Sequence, residues 1–392
     1  MEKIQEIKQY VNMHRVEMLE LWEDLVNTAS QARNPDAARK MCNKLKNIFE
    51  QNRIKCNIID VGGGNAPALV GIWGEERIGK PVIFSGHYDT VSLPGDHPFR
   101  IDEIGNARGL ACLDMKGGIV IALYVVKALQ SIGWDDRPVK FVFLGDEEKG
   151  HLGADTPEII MKQAANALCA FNMETGLVSN AICVGRKGGG VGTFTVNGVG
   201  AHSGNDYLKG RNAIGEIAYK ILDLHSLTDL DKGTTVSVTI IEGGTVPNGI
   251  PPKCRIDVDV RYEIVSERNR VVDAFRKITE KNYIDGCMTT FEYHEYMAPF
   301  ETTIQGEKFA DFVCNISEKC GLGTMKKTRL GGGSDASYLT MAGVPTICSM
   351  GVRGEFNHTD KEYAIVESLY ERTELLTNVM LHIYEFEAFI GA

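Results

Sequence analysis

The sequence has no run approaching the roughly 20 apolar residues of a membrane span; it also lacks a block of basic residues, an internal repeat and any C-x-x-C pair. Each absence removes a class. The N-terminal stretch MEKIQEIKQYVNMHRVEMLELWEDLV is charged throughout, with apolar residues at helical spacing, and reads as a mature cytoplasmic start rather than a membrane segment. A formal net charge of −10 without a basic patch leaves neither nucleic acid nor an anionic membrane surface as a natural partner. The ten cysteines, at 42, 56, 112, 169, 183, 254, 287, 314, 320 and 348, show no paired spacing. Reduced, buried thiols are expected, not a metal cluster or a disulfide framework. Three glycine runs, VGGGN, KGGGVG and LGGGSDAS, also fail to read G-x-x-x-x-G-K-[ST], and none shows a strand, G-x-G-x-x-G, helix context. A nucleotide-dependent enzyme would need that fingerprint.

What is present is ordinary globular composition, 43% apolar and 24% charged, over 392 residues, enough for two domains and a sizeable core. Short apolar runs such as APALVGIWG, KPVIFSGH and VKFVFLGDEE alternate with helical segments, which predicts an α/β domain with a mostly parallel, doubly covered sheet. From about Arg186 the order becomes β-α-β-β-α-β, with strict alternation in RIDVDVRYE, as in an α+β, ferredoxin-like sheet exposed on one face. The α/β style then returns. Residues 1–185 and 297–392 are therefore expected to form one discontinuous domain, and residues 186–296 an inserted one.

The stretch SGHYDTV ends the apolar run KPVIF with His87 and Asp89, two groups that resist burial. Others follow the same rule: Glu147 and Glu148 after VKFVFLGD, Glu174 after ALCAFNM, His358 after VPTICSMGVRGEFN, and Asp114 just before MKGGIVIAL. Ligands of open α/β sheets bind beyond the carboxyl ends of the strands, so these groups are placed to converge at one rim. Histidines and carboxylates without a thiolate are the donors expected for Zn²⁺, Mn²⁺ or Co²⁺ in a hydrolytic site. Five such donors with two further acids point to a pair of metals about 3.5 to 4 Å apart, bridged by a carboxylate and a water. A single H-x-D or E-E pair is most often a capped loop; the conjunction carries the reading.

These residues resemble the co-catalytic zinc amidohydrolases and exopeptidases, the family that includes glutamate carboxypeptidase, aminoacylase, acetylornithine deacetylase and peptidase T. GHYDTV is similar to its H-x-D motif, GLACLDMKGG to D-x-K-G-G, GDEEKGHLGA to D-E-E-x-G-x-x-G-A, METG to the third-ligand motif and FNHT to the final histidine. The likeness runs in order from about residue 65 to 390. It implies one metal on His87, Asp114 and Glu174 and a second on Asp114, Glu148 and His358. Asp114 is then the bridge, Asp89 orients His87, and Glu147 is the general base, a role that fits the need for a carboxylate to move the proton of an activated water.

The resemblance also implies that the inserted domain is a lid and dimerisation domain. His202, in NGVGAHSG, would stabilise the oxyanion, often across a homodimer interface, although a lone histidine there is usually a surface residue. Asn248 and Arg261 fall at substrate-contact positions, and the loop containing Gly332, Gly333 and Ser334 resembles a glycine-rich loop that holds a substrate carboxylate. Ala111 stands where many members have glycine, and His151 where a small polar residue is frequent. Glu174 favours a carboxypeptidase or deacylase acting on a small peptide or N-acyl amino acid over a di- or tripeptidase, while GGGSDAS is similar to the tripeptidase branch. A metal-free binding relative would have lost ligands or the base, and all are present.

Overall fold

A computed structural model describes residues 2–391, which divide into two compact units. The first comprises the chain up to Gly185 with Thr302–Leu330 and the chain from Ser334; the second comprises Arg186–Glu301 with Gly331–Gly333. The boundary expected after residue 296 falls at Glu301 instead. The strand Met288–Met297 belongs to the second unit's sheet, and Phe300 then pairs back with Arg186.

The first unit is built on a six-stranded sheet in the order Lys55–Ile59, Ala66–Trp73, Val139–Gly145, Val82–His87, Cys169–Asn172, Thr346–Ile347. The last four strands pair in parallel, whereas Lys55–Ile59 and Ala66–Trp73 form an antiparallel edge. The sheet is therefore mixed. Every residue of Val82–His87 and of Cys169–Asn172 is buried, which is why these strands read as unbroken apolar runs rather than alternating ones. Helix Gly117–Ser131 has 12 of its 15 residues buried, as a helix apolar on all sides must, and Val366–Leu381 packs along it. A Cβ on Gly118 would lie 2.1 Å from the Met173 carbonyl oxygen. Glycine thus lets the helix start approach the strand end that leads to Glu174.

A second, five-stranded sheet in this unit orders Arg100–Ile101, Asn106–Arg108, Tyr363–Ile365, Arg353–Glu355 and Gly176–Leu177. Strands of two or three residues carry no readable period, so nothing in the sequence announced it. It has a consequence for the site. Gly176 pairs with Arg353 and Tyr363 with Arg108, gathering the segments next to Glu174, His358 and Asp114.

The second unit runs Gly188–Asn197, helix Ala213–His225, Thr235–Gly243, Lys253–Tyr262, helix Val265–Glu280, Met288–Met297. Its antiparallel strands lie in the order second, third, first, fourth, the arrangement of a ferredoxin-like sheet. Cys254, Ile256, Val258, Val260 and Tyr262 alternate along one strand and face a core with Ile217, Val271 and Phe275. Thr235–Gly243 is an edge strand, with Ile240 and Ile241 exposed. Helix Ala213–His225 likewise leaves Ile214, Tyr219 and Leu222 in solvent. Among the described residues no cysteine forms a disulfide, eight of the ten are buried, and no helix is long and apolar enough to cross a membrane.

Candidate metal centre

The parallel strands deliver the polar groups at their carboxyl ends. His87 closes Val82–His87, Glu147 and Glu148 open the short turn after Val139–Gly145, and Glu174 lies two residues past Cys169–Asn172. His87 sits in register with Leu144, and Ser85 with Asn172. Neighbouring strands are about 4.8 Å apart, so these ends are side by side. A Cβ on Gly86 would come within 2.2 Å of the Met115 sulfur; its absence brings the turn Cys112–Lys116, with Asp114, against His87.

His87 Nε2 stands 3.2 Å from Asp114 Oδ1 and 3.5 Å from Glu174 Oε1. His358 Nε2 stands 3.2 Å from Asp114 Oδ2 and 3.1 Å from Glu148 Oε2. Each oxygen of Asp114 thus faces one histidine, and each histidine faces one further carboxylate. Donor atoms of His87, Asp114 and Glu148 all lie within 4.8 Å of one another. His87, Asp114 and Glu174 are buried, whereas the His358 side chain is 50% exposed.

Burial opposes a charge on His87, but Glu174, Asp114 and Asp89 outweigh it and hold its pKa well above the usual 6.5. Hydrogen bonding to Asp114 and Glu148 carries His358 up to about 11. Burial would raise Asp114, yet its two histidines keep it well below the ordinary carboxylate range. Burial raises Glu174 well above that range. Glu147 is pushed up to about 8 by burial; His87 opposes this, while Asp335, Glu148 and Asp89 add to it. Crowded acids of this kind are stable only beside cations. Glu148 Oε1 is buried with no hydrogen-bond partner, a carboxylate oxygen left over for a ligand. A divalent cation fits this oxygen and nitrogen donor set.

Around the donors the structure differs from the sequence reading in detail. The nearer partner of His87 Nδ1 is the Asp89 backbone oxygen, at 3.0 Å, with the carboxylate at 3.4 Å. The Asp89 carboxylate is occupied by the backbone N–H groups of Glu147 and Glu148, at 3.3 and 3.0 Å. Glu362, which the sequence did not single out, accepts the backbone N–H groups of Leu113, Asp114 and Ala111 at 2.8, 3.2 and 3.2 Å, and burial pushes its pKa up to about 7. As the fourth residue after His358 it looks no different from Asp360. Asn357 donates to Asp114 Oδ2 at 2.9 Å, and the buried Lys116 amine donates to the Thr28 carbonyl at 2.8 Å.

The remaining candidates have contacts of their own. Ser334 is 1% exposed, and its hydroxyl is turned inward onto Asn172 Oδ1 at 3.2 Å. In the second unit, His202 is exposed and pairs with Gly249, next to Asn248, whose carbonyl accepts from Ser203. The N–H groups of Gly204 and Asn205 point at His202 Nδ1, at 3.2 and 3.1 Å, so the ring proton sits on Nε2. Arg261 is held by Asp259 at 3.1 Å and lies over the Tyr296 ring at 5.1 Å. The carbonyls of Gly332 and Gly333 lie 3.4 and 3.5 Å from the Arg186 guanidinium.

Histidines and carboxylates arranged around a shared aspartate, at the carboxyl edge of such a sheet, are the donors of a hydrolytic metal centre. The profile of peptidase family M20/M25/M40 matches residues 83–382, and the chain belongs to that family. It is a hydrolytic enzyme of the metallopeptidase and amidohydrolase kind. Carboxypeptidase G2 of Pseudomonas sp. (strain RS-16) is 28% identical over 351 residues, covering 87% of this chain and 82% of that one. Succinyl-diaminopimelate desuccinylase 2 of Ruegeria sp. (strain TM1040) is 26% identical, over 91% and 92%. The crystal structure of aminopeptidase PepT from Bacillus cereus superposes with a TM-score of 0.80 at 22% identity, covering 93% of this chain and 97% of that one, a likeness of fold.

Proposed function

We propose that this enzyme hydrolyses an amide next to a free carboxylate, in a small peptide or an N-acyl amino acid, at a centre holding two divalent ions, with Zn²⁺ preferred over Co²⁺ or Mn²⁺. The observation that carries the reading is the division of five side chains into two sets of three around Asp114: His87 with Glu174, and His358 with Glu148. Cations bound there would supply Lewis acidity toward a substrate carbonyl and lower the pKa of water.

Glu147 then takes the proton of the attacking water and returns it to the leaving nitrogen; a pKa near 8 suits a group that must both accept and donate near neutrality. Asp89 holds this acid pair by its backbone while its own carbonyl steadies the His87 ring. His202, with its proton on Nε2, is equipped to donate to an oxyanion. Asn248, Arg261 and the Gly332–Gly333 backbone are the candidates for the substrate's carboxylate end. The inward-turned Ser334 hydroxyl serves the loop rather than the ligand.

The names of a carboxypeptidase and a desuccinylase both describe cleavage beside a carboxylate-bearing group, which supports the substrate class. An exposed edge strand and apolar helix face in the second unit support a homodimer through it, and buried thiols without a disulfide fit a cytoplasmic protein. The test is a panel of C-terminal peptides, N-acyl amino acids, dipeptides and tripeptides, assayed with chelated and metal-restored protein. We expect metal-dependent release, strongest on one carboxylate-bearing group and poor on its C-terminal amides. Equal turnover of the amides would overturn the substrate class, and full activity after complete chelation would overturn the metal centre. Strong N-acyl amino acid or tripeptide cleavage alone would move the enzyme to the deacylase or tripeptidase alternative.

A further inference from the structure

His151 lies outside the donor set and is 4% exposed. Both ring nitrogens meet carboxylate oxygens, Nδ1 at 3.0 Å from Asp146 Oδ1 and Nε2 at 2.7 Å from Asp335 Oδ1. The ring therefore bridges two buried acids, and a positive charge on it suits both contacts. Burial opposes that charge, but Asp335 and Asp146 prevail and hold the His151 pKa well above 6.5. Further contacts surround the ring. Thr156 Oγ1 donates to Asp146 Oδ2 at 2.8 Å, the His151 N–H donates to the Asp146 carbonyl at 3.1 Å, and the imidazole meets the Tyr338 ring edge-on at 5.9 Å. Asp335 Oδ2 has no partner.

The two acids belong to different segments of the first unit. Asp146 directly precedes Glu147 and Glu148, and Asp335 directly precedes helix Ala336–Met341. We propose that His151 is a positioning residue that clamps the Asp146–Glu148 turn to the start of helix Ala336–Met341, holding the carboxylates of Glu147 and Glu148 in one geometry. This rests on the reading that these two glutamates carry the chemistry. A residue at 151 without the imidazole leaves two buried acids without their shared partner, so the two segments are no longer tied together. A misplacement of about 1 Å costs on the order of 10²-fold in turnover.

His151→Gln, Asp335→Asn and the double variant test the clamp in the metal-loaded enzyme. Each single substitution is expected to lower kcat by about 10- to 100-fold with KM within a few fold, with metal content and a cooperative melt retained. The double variant, in which one buried acid rather than two is left without its cation, is expected to recover about tenfold relative to His151→Gln. Amide hydrogen exchange, read without substrate, should rise in residues 146–151 and 334–341 together in either single variant. Wild-type kcat in the singles, or a double-variant loss equal to the product of the single losses, overturns the proposal. If His151→Gln does not fold, Asp335→Asn keeps the Asp146 contact and carries the same readouts, with wild-type kcat and exchange as the overturning result. A fully active Glu147→Gln enzyme would sink the base assignment alone; unchanged exchange in both segments would sink the clamp whatever the activity.

Discussion

Each carboxylate oxygen of Asp114 meets a different histidine. Asp114→Ala is therefore expected to cost the protein both metal ions, not one, with elemental analysis of dialysed protein as the check; a variant that keeps one ion would contradict the shared-carboxylate reading. Glu147→Gln should behave differently. The amide preserves shape and leaves the ligands in place, so metal content stays while kcat falls by about 10² to 10⁴-fold. Ala111 offers a stability test. Its φ of 60° lies in the left-handed region, where a side chain costs about 1 kcal/mol or more relative to glycine. Ala111→Gly is expected to raise the melting temperature or leave it unchanged, and a clear loss would show that this backbone is not strained.

Among the elements, the four-stranded sheet of the second unit depends on a small core. Phe194 is fully buried, with ring centroids 5.3 Å from Phe275 and 4.9 Å from Phe291. Phe194→Ala should cost about 3–5 kcal/mol, measured by denaturant unfolding of that unit's signal. The start of helix Val265–Glu280 adds a pH dependence. Hydrogen bonding to Arg270, against the opposing effect of burial, and then to Thr234, holds Glu267 down to about 2. A folded pKa below the unfolded one of 4.5 gives stability that is fully present above pH 4.5 and is lost as pH falls through 2. Glu267→Gln should therefore be less stable than the parent at neutral pH and converge with it near pH 2, apart from a pH-independent offset.

At the scale of the whole molecule, the second unit is a small sheet with Ile240 and Ile241 on its open edge and Ile214, Tyr219 and Leu222 exposed on a helix. A homodimer through these groups is expected by sedimentation. Because an oxyanion forms only in the transition state, His202→Ala should lower kcat by about 10² to 10³-fold with little effect on KM and none on metal content. If His202 serves the partner subunit's site, mixing His202→Ala with Glu147→Gln assembles one site from two intact halves and restores part of the activity. Mixtures that stay inactive place His202 in its own chain's site, and normal turnover by His202→Ala removes it from the chemistry.

Chain order and residue chemistry by themselves determined which acids and histidines stand beyond buried strands, because burial on both faces forces continuous apolar runs and leaves strand ends as the place for polar groups. The alternation of Lys253–Tyr262 was equally legible, since a half-exposed strand has a period of two. The short five-stranded sheet was not, because strands of two or three residues have no period. Only the tertiary structure decided which oxygen of Asp114 meets which histidine, that Glu362 holds the backbone of Leu113 across 249 positions, and that His151 reaches Asp335 across 184. Such contacts join segments whose local patterns are independent, and the free energy that selects them comes from packing the sheet and helices around one core.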